Sequence, residues 1–262
     1  MLLDQVIQPS TFSLFSSTSS HPLLLATSVQ SSTTAPIDGF ISLLDDATND
    51  QETLVSFNGT PSQLAARSLA VLGKGQPDRT RQDLRSRVLH LQDPDCRTTS
   101  IRWGTINGTA DATLEQRGLG IELEYLHLQV KNLGQNFYFD VAVKDDRGEV
   151  FVFRSSNFQS HSKLYPSTST SPTLLHLPIS FPPPSPTLLT SWCTLTLSLP
   201  SLLSSLPSLG ASTPGKFKCI LGIQVQANCR LRRIWFSRDG KEVQEEEMAK
   251  KGMMSELAMY AV

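Results

Sequence analysis

The stretch that most constrains the fold runs from residue 137 to residue 153. Phe137, Phe139, Val141 and Val143 alternate with Tyr138, Asp140 and Lys144; Asp145-Asp146-Arg147-Gly148 follows, and then an apolar run from Val150 to Phe153. A period of two is the signature of a half-buried strand, and a short polar, Gly-bearing break between two such runs predicts a β-hairpin. Other blocks alternate in the same way. In Arg87–Gln92, Val88, His90 and Gln92 oppose Leu89 and Leu91. In residues 119–130, Leu119, Ile121 and Leu123 share one parity, and Leu126, Leu128 and Val130 the other. That switch at Glu124-Tyr125 predicts a β-bulge, which adds one residue and turns the later side chains over. Residues 192–199 alternate Thr and Ser with Leu, and residues 220–236 begin with Ile223, Val225 and Ala227 facing one way. Helical patterns are confined to residues 61–72 and 242–258. Many short strands without βαβ alternation predict an all-β chain, an antiparallel β-sandwich with a short C-terminal helix and long low-complexity loop inserts.

Hydrophobic residues make up 39% of the 262 and charged residues 18%, because Ser, Thr and Pro dilute both in patches. The expected organisation is one sandwich domain over residues 1–262, with a divergent insert at 26–82 and Ser/Thr/Pro-rich loops at 165–190 and 200–215. A net charge of -1 argues against a nucleic-acid binder, whose domain is usually strongly basic, and against a polybasic membrane anchor. No run approaches the ~18 apolar residues of a membrane span. Asp4 stands where a signal peptide wants Lys or Arg, so no secretory signal is expected. Cys96, Cys193, Cys219 and Cys229 then read as reduced thiols of the cytosol or nucleus.

Four segments, in order, resemble one known family. They are Leu119-Gly120-Ile121 with Val130-Lys131-Asn132-Leu133 and Tyr138-Phe139; Val143 to Asp146 running on to the Phe153 to Ser160 stretch; Trp192 before an alternating strand; and the Val225 to Ser237 run, VQANCRLRRIWFS. A fainter echo closes the chain at Glu256-Leu257 and Tyr260. The pattern is similar to the cilia- and flagella-associated protein 20 family, the CFA20 domain. The resemblance implies a non-enzymatic, microtubule-associated structural protein of the cilium or flagellum. It would sit in the axoneme, at the inner junction of the doublet or at the basal body, with tubulin and neighbouring inner-junction proteins as partners. This chain keeps the Pro22-Leu23 pair but lacks the family's Gly and Trp around it, and residues 200–214 carry no charge. Surface contacts are therefore free to diverge while the core is kept.

The first candidate surface for partner binding is a polar strip. If residues 224–232 form one extended strand, Gln224, Gln226, Asn228, Arg230 and Arg232 share a face, with Arg233 beside them where parity breaks and a second bulge or bend is expected. Such a row suits an acidic protein surface. Arg154, Asn157 and Gln159 form the second candidate, with a structural role favoured and an Asx-turn expected at Asn157. Nothing points to catalysis. The five histidines are scattered, no G-x-S-x-G motif occurs, Gly118-Leu119-Gly120 lacks the third glycine of a dinucleotide loop, and no C-x₂-C pair suggests a metal. No enzyme, cofactor or metal is therefore expected.

A β-sandwich alone does not choose a function. The other reading is a nuclear or cytosolic binding module for a protein or carbohydrate ligand, in a lineage without cilia. A carbohydrate face wants exposed Trp or Tyr, and Trp192 is expected to be buried.

Overall fold

The computed structural model describes residues 8–30, 39–49, 51–55, 86–106, 118–181 and 192–240. Their strands are β1 (Thr11–Ser16), β2 (Ser28–Gln30), β3 (Phe40–Asp45), β4 (Gln51–Leu54), β5 (Arg87–Gln92), β6 (Ser100–Gly104), β7 (Tyr125–Asn132), β8 (Tyr138–Asp145), β9 (Val150–Ser156), β10 (Lys163–Tyr165), β11 (Thr173–Pro178), β12 (Trp192–Ser198), β13 (Phe217–Gln226) and β14 (Cys229–Ser237). They form two seven-stranded sheets. Sheet A has the order β12-β7-β14-β5-β3-β4, with β1 also paired to β14. Sheet B has the order β10-β11-β9-β8-β13-β6-β2. Pairing is antiparallel except between β11 and β9, which run parallel. This is the expected all-β sandwich.

Alternation decides which side chains meet between the sheets. Leu126, Leu128 and Val130 of β7 and Phe139, Val141 and Val143 of β8 are all fully buried, and Phe15 of β1 meets Trp103 of β6 with ring centroids 5.4 Å apart. Each such Leu or Phe contributes about 1.5–3 kcal/mol by leaving water. The expected hairpin is β8–β9, in register from Tyr138↔Ser156 to Lys144↔Val150. Its turn is organised by Asp145, whose buried Oδ1 accepts from the backbone N–H groups of Arg147 (3.0 Å) and Glu149 (2.8 Å). Gly148 takes a φ of 94° there, a conformation that suits glycine.

Several segments differ from expectation. The parity switch near Glu124 is a change of sheet and not a bulge within one strand. Ile121 bridges Ile220 of β13 in sheet B, the chain bends at Glu124, and β7 starts in sheet A at Tyr125. Both inner faces share one core, and the bend at Glu124 brings the later apolar side chains into it on the other parity. Residues 165–190 and 200–215 carry regular structure as well as loop. β11 lies in the first, with Leu175 buried. Helix α1 (Leu199–Ser205) and a 3₁₀ turn (Leu206–Leu209) enter the second. Leu199, Leu203 and Leu206 recur at helical spacing and are buried, and Pro200 stands in the first turn, where its missing N–H costs nothing. Strands β2, β3 and β4 arise from residues with weak strand signals. The helical patterns at 61–72 and 242–258 lie outside the described residues.

Candidate binding face

Residues 217–237 do not form one strand. β13 ends in sheet B at Gln226, and the backbone crosses at 227–228 into sheet A as β14. Gln224 and Gln226 therefore do not share a face with Arg230 and Arg232, which corrects the expected strip. The inward parity nevertheless runs on across this crossing through Ile223, Val225, Ala227, Cys229 and Leu231, all fully buried. The second irregularity is present: β14 shifts register against β7 between Leu231 and Arg233. That bulge places both Arg232 and Arg233 outward.

Outward side chains of neighbouring strands line up with these arginines. Thr196, His127, Trp235 and Ser13 form one row across β12, β7, β14 and β1; Thr194, Gln129, Arg233 and Ser16 form the next. Trp192, Lys131, Arg230 and His90 form a third, across β12, β7, β14 and β5. The outer face of sheet A thus gathers Lys131, Arg230, Arg232 and Arg233 around two tryptophans.

The third row is tied by Asp46, in the turn after β3. Its carboxylate accepts from Arg230 Nη1 at 2.5 Å, Trp192 Nε1 at 2.9 Å and Lys131 Nζ at 3.3 Å. Arg230 Nη2 also donates to Asn49 Oδ1. Burial alone would raise the Asp46 pKa, but hydrogen bonds from Arg230 and Trp192, with the charges of Lys131 and Arg230, outweigh it and hold it below the ordinary 3.8. Beside this hub, burial pushes the His90 pKa down.

The arginines at the bulge stack on the indoles. Arg232 Cζ lies 4.5 Å from the centroid of the Trp192 ring, and Arg233 Cζ lies 5.2 Å from that of Trp235. Each contact is a cation–π pair of ~0.5–1 kcal/mol at a partly exposed site. The other contact of Trp235 is His127, stacked at 5.0 Å and 13°. His127 is held by Thr196 Oγ1 at Nδ1 (2.9 Å) and Ser237 Oγ at Nε2 (2.8 Å). Burial pushes its pKa down to about 4, so it presents a neutral ring to the face. Trp192, expected to be buried, is half-exposed.

The remaining candidates have structural roles. Asn228 Oδ1 accepts from Asp93 N (2.7 Å), and its Nδ2 donates to Asn136 O (3.1 Å). This ties the β13–β14 crossing to the β5–β6 and β7–β8 connections, which also pass between the sheets. Gln226 is buried, and Gln224 Nε2 donates to Ser100 Oγ on sheet B. Arg154 makes a two-pronged pair with Asp140, both hydrogen bonds at 2.8 Å, and lies over the Tyr138 ring. Asn157 makes no Asx-turn. Its Oδ1 accepts from Phe137 N and its Nδ2 donates to Gln135 O, stapling the loop before β8. Gln159 bonds the His161 carbonyl.

Sequence reasoning missed Trp192, Trp235, His127, Lys131 and Asp46 as parts of the face. The parity of 127, 129 and 131 against Leu126, Leu128 and Val130 marks the outward positions. The partner role of Asp46 carries no local signal, because Arg230 is 184 positions away in sequence. Among the described residues, no three of His, Cys, Asp and Glu gather as a metal-ligand set. No helix among them is long and apolar enough to cross a membrane. Cys229 lies fully buried, and burial pushes its thiol pKa well up; burial also raises Cys193, to about 11.

Comparison with solved structures finds a family 12 glycoside hydrolase structure at TM-score 0.32 and 9% identity, covering 57% of this chain and 82% of that one. An endo-1,4-β-glucanase, CelB2, aligns at TM-score 0.30 and 8% identity, covering 56% and 81%. Likeness at that level carries no argument. Sequence comparison is more specific. The chain is 31% identical over 158 residues to Cilia- and flagella-associated protein 20 of Chlamydomonas reinhardtii, covering 60% of this chain and 69% of that protein. The protein of the same name from Paramecium tetraurelia matches with the same identity and coverage. That of Caenorhabditis elegans is 29% identical over 119 residues, 45% of this chain and 49% of that one. The CFA20 domain matches residues 73–255, which contain β5 to β14, and on that evidence the chain belongs to the CFA20 domain family.

Proposed function

We propose that this chain is a non-enzymatic, cilium-associated structural protein that binds microtubules through the outer face of sheet A. Relatives bearing the name Cilia- and flagella-associated protein 20 support the cilium. The observation that carries the surface assignment is the clustering of Lys131, Arg230, Arg232 and Arg233 on one face, with Asp46 a carboxylate among them. The tubulin surface is acidic, and a cationic sheet face steers towards it and fixes register. The stacked Arg232–Trp192 and Arg233–Trp235 pairs add broad, rigid contact area, and Trp and Arg are the residue types that carry binding energy at protein interfaces. Axoneme inner junction and basal body are the sites this reading places it.

Arg230 belongs to the Asp46 hub and its reversal endangers the fold, so the test uses the bulge. Arg232→Glu/Arg233→Glu is expected to lose co-sedimentation with microtubules while its urea midpoint stays near that of the natural chain. Gln129→Glu, in the same row, is expected to weaken pelleting without touching either stack. Natural-chain binding should fall as salt rises. Undiminished pelleting of folded variants overturns the assignment.

A carbohydrate-binding module is the second reading, because Trp192 and Trp235 share an outer face. Against it, Arg232, Arg233 and His127 already lie on those indoles, so a sugar must first displace a stacked partner. Tryptophan fluorescence titrated with glycans separates the readings: saturable quenching supports the sugar, and a flat response removes it.

A further inference from the structure

A sheet edge offers unpaired N–H and C=O groups, and natural proteins blunt such edges by shortness, charge, proline or bulges. In this sandwich most edges follow that rule. β2 and β10 are three residues long, and β4 is four. β1, which among the described residues pairs with β14 alone, is broken by a register shift between Ser13 and Phe15. β12 is the exception. It is seven residues long, WCTLTLS, without a charge, a proline or a glycine, and pairs with β7 in unbroken register from Trp192↔Lys131 to Ser198↔Tyr125. Among the described residues nothing pairs with its other side.

Burial points the same way. On the facing strand, Leu126, Leu128 and Val130 are fully buried. Cys193, Leu195 and Leu197, their partners on the same inner face, pack against the core but stay half-exposed. The sandwich is thus unsealed along this edge, over a line of apolar side chains.

We propose that β12 is a homodimerisation edge, at which a second copy of this chain adds its own β12 antiparallel across a two-fold axis to make one continuous sheet from two sheets A. The strand is self-complementary for this. With the axis at Leu195, Leu195 faces Leu195 and Cys193 faces Leu197 on the inner side, which seals the half-exposed apolar line. On the outer side Thr194 faces Thr196 and Trp192 faces Ser198. No like charges meet, β-branched threonines pair well across strands, and a two-fold contact closes on itself and ends at two copies. An isolated seven-residue strand pair lies at the small end of protein interfaces, so the dimer is expected to dissociate on dilution.

The test is light scattering after size-exclusion chromatography of the full chain over a range of concentrations. The natural chain is expected to show a concentration-dependent mass rising towards two copies. Thr194→Lys/Thr196→Lys sets lysine against lysine across the axis and is expected to run as a monomer. Thr194→Lys/Thr196→Glu sets lysine against glutamate in the same register and is expected to dimerise again, less so at high salt. Both variants lose the Thr196 hydroxyl bond to His127 alike, so the difference between them reads the contact between copies and not the fold. A natural chain that stays monomeric throughout overturns the proposal. So does a double-lysine variant that dimerises as well as the lysine–glutamate one.

Discussion

Removing the Asp46 carboxylate is the sharpest probe of how sheet A is held. Asp46→Ala takes away one acceptor and leaves two cations, Arg230 and Lys131, whose side chains are only 13% and 18% exposed. Deleting one partner of a buried pair costs about 3–5 kcal/mol, because the other charge stays buried without compensation. Here some water reaches the pair and Arg230 keeps its bond to Asn49, so the expected loss is about 2–3 kcal/mol. At about 2–4 °C per kcal/mol for a chain near this size, the melting temperature falls by about 4–12 °C. Urea unfolding followed by tryptophan fluorescence measures it. Trp192→Phe, which removes the indole N–H donor and shrinks the ring beneath Arg232, should cost less, about 0.5–1.5 kcal/mol. Adding Arg230→Met to Asp46→Ala should recover part of the loss, since the more buried of the two stranded cations is then gone. The acid limb gives an independent sign. The folded Asp46 pKa is below 3.8, so between the two values the unfolded chain binds more protons, and the contribution is present above pH 4 and lost as pH falls through the folded value. Asp46→Asn should flatten that part of the stability curve. An Asp46→Ala variant within ~0.5 kcal/mol of the natural chain, the scatter of ordinary surface changes, would refute the reasoning.

Two further outcomes follow from the geometry. Asn228→Ala strips the side-chain acceptor from Asp93 N, while Asn136 O keeps the Asn228 backbone N–H, and at about 1–3 kcal/mol for a buried unsatisfied group it should destabilise the chain by that amount in urea without affecting microtubule pelleting. The His127 ring, with its pKa pushed down to about 4, should show no imidazole titration by NMR between pH 7 and 5.5; a midpoint near 6.5 would mean that the ring is solvated and the stack on Trp235 is absent.

The hairpin was legible because the residue types of β8 alternate, Phe139, Val141 and Val143 against Tyr138, Asp140 and Lys144, and a Gly-bearing polar turn joins it to an apolar run, although β8 is buried on both faces. β3 was not, because its sequence FISLLD sets apolar side chains on both parities, Ile41 and Leu43 on one and Phe40 and Leu44 on the other, which erases the contrast between faces. Helix α1 was hidden by composition: serines and prolines mask the spacing of Leu199, Leu203 and Leu206. The 224–232 strip misled for a geometric reason, since the crossing at 227–228, unlike the bend at Glu124, keeps the apolar parity and betrays no break. Of the candidate site, the sequence showed the arginines at 230, 232 and 233 and the irregularity beside them. The tryptophan stacks and the Asp46 hub depend on strands distant in the chain, which no local pattern can bring together.

The passage from β13 to β14 has a mechanical meaning. In most two-ply laminates the plies slide when the adhesive between them yields. Here one backbone runs as an inner strand of sheet B, bordered by β8 and β6, and continues as an inner strand of sheet A, bordered by β7 on one side and by β5 and β1 on the other. It acts as a fibre threaded through both plies. Shear between the sheets loads covalent bonds as well as packed side chains, and a push on the arginine face at β14 travels along the main chain into the middle of the opposite sheet.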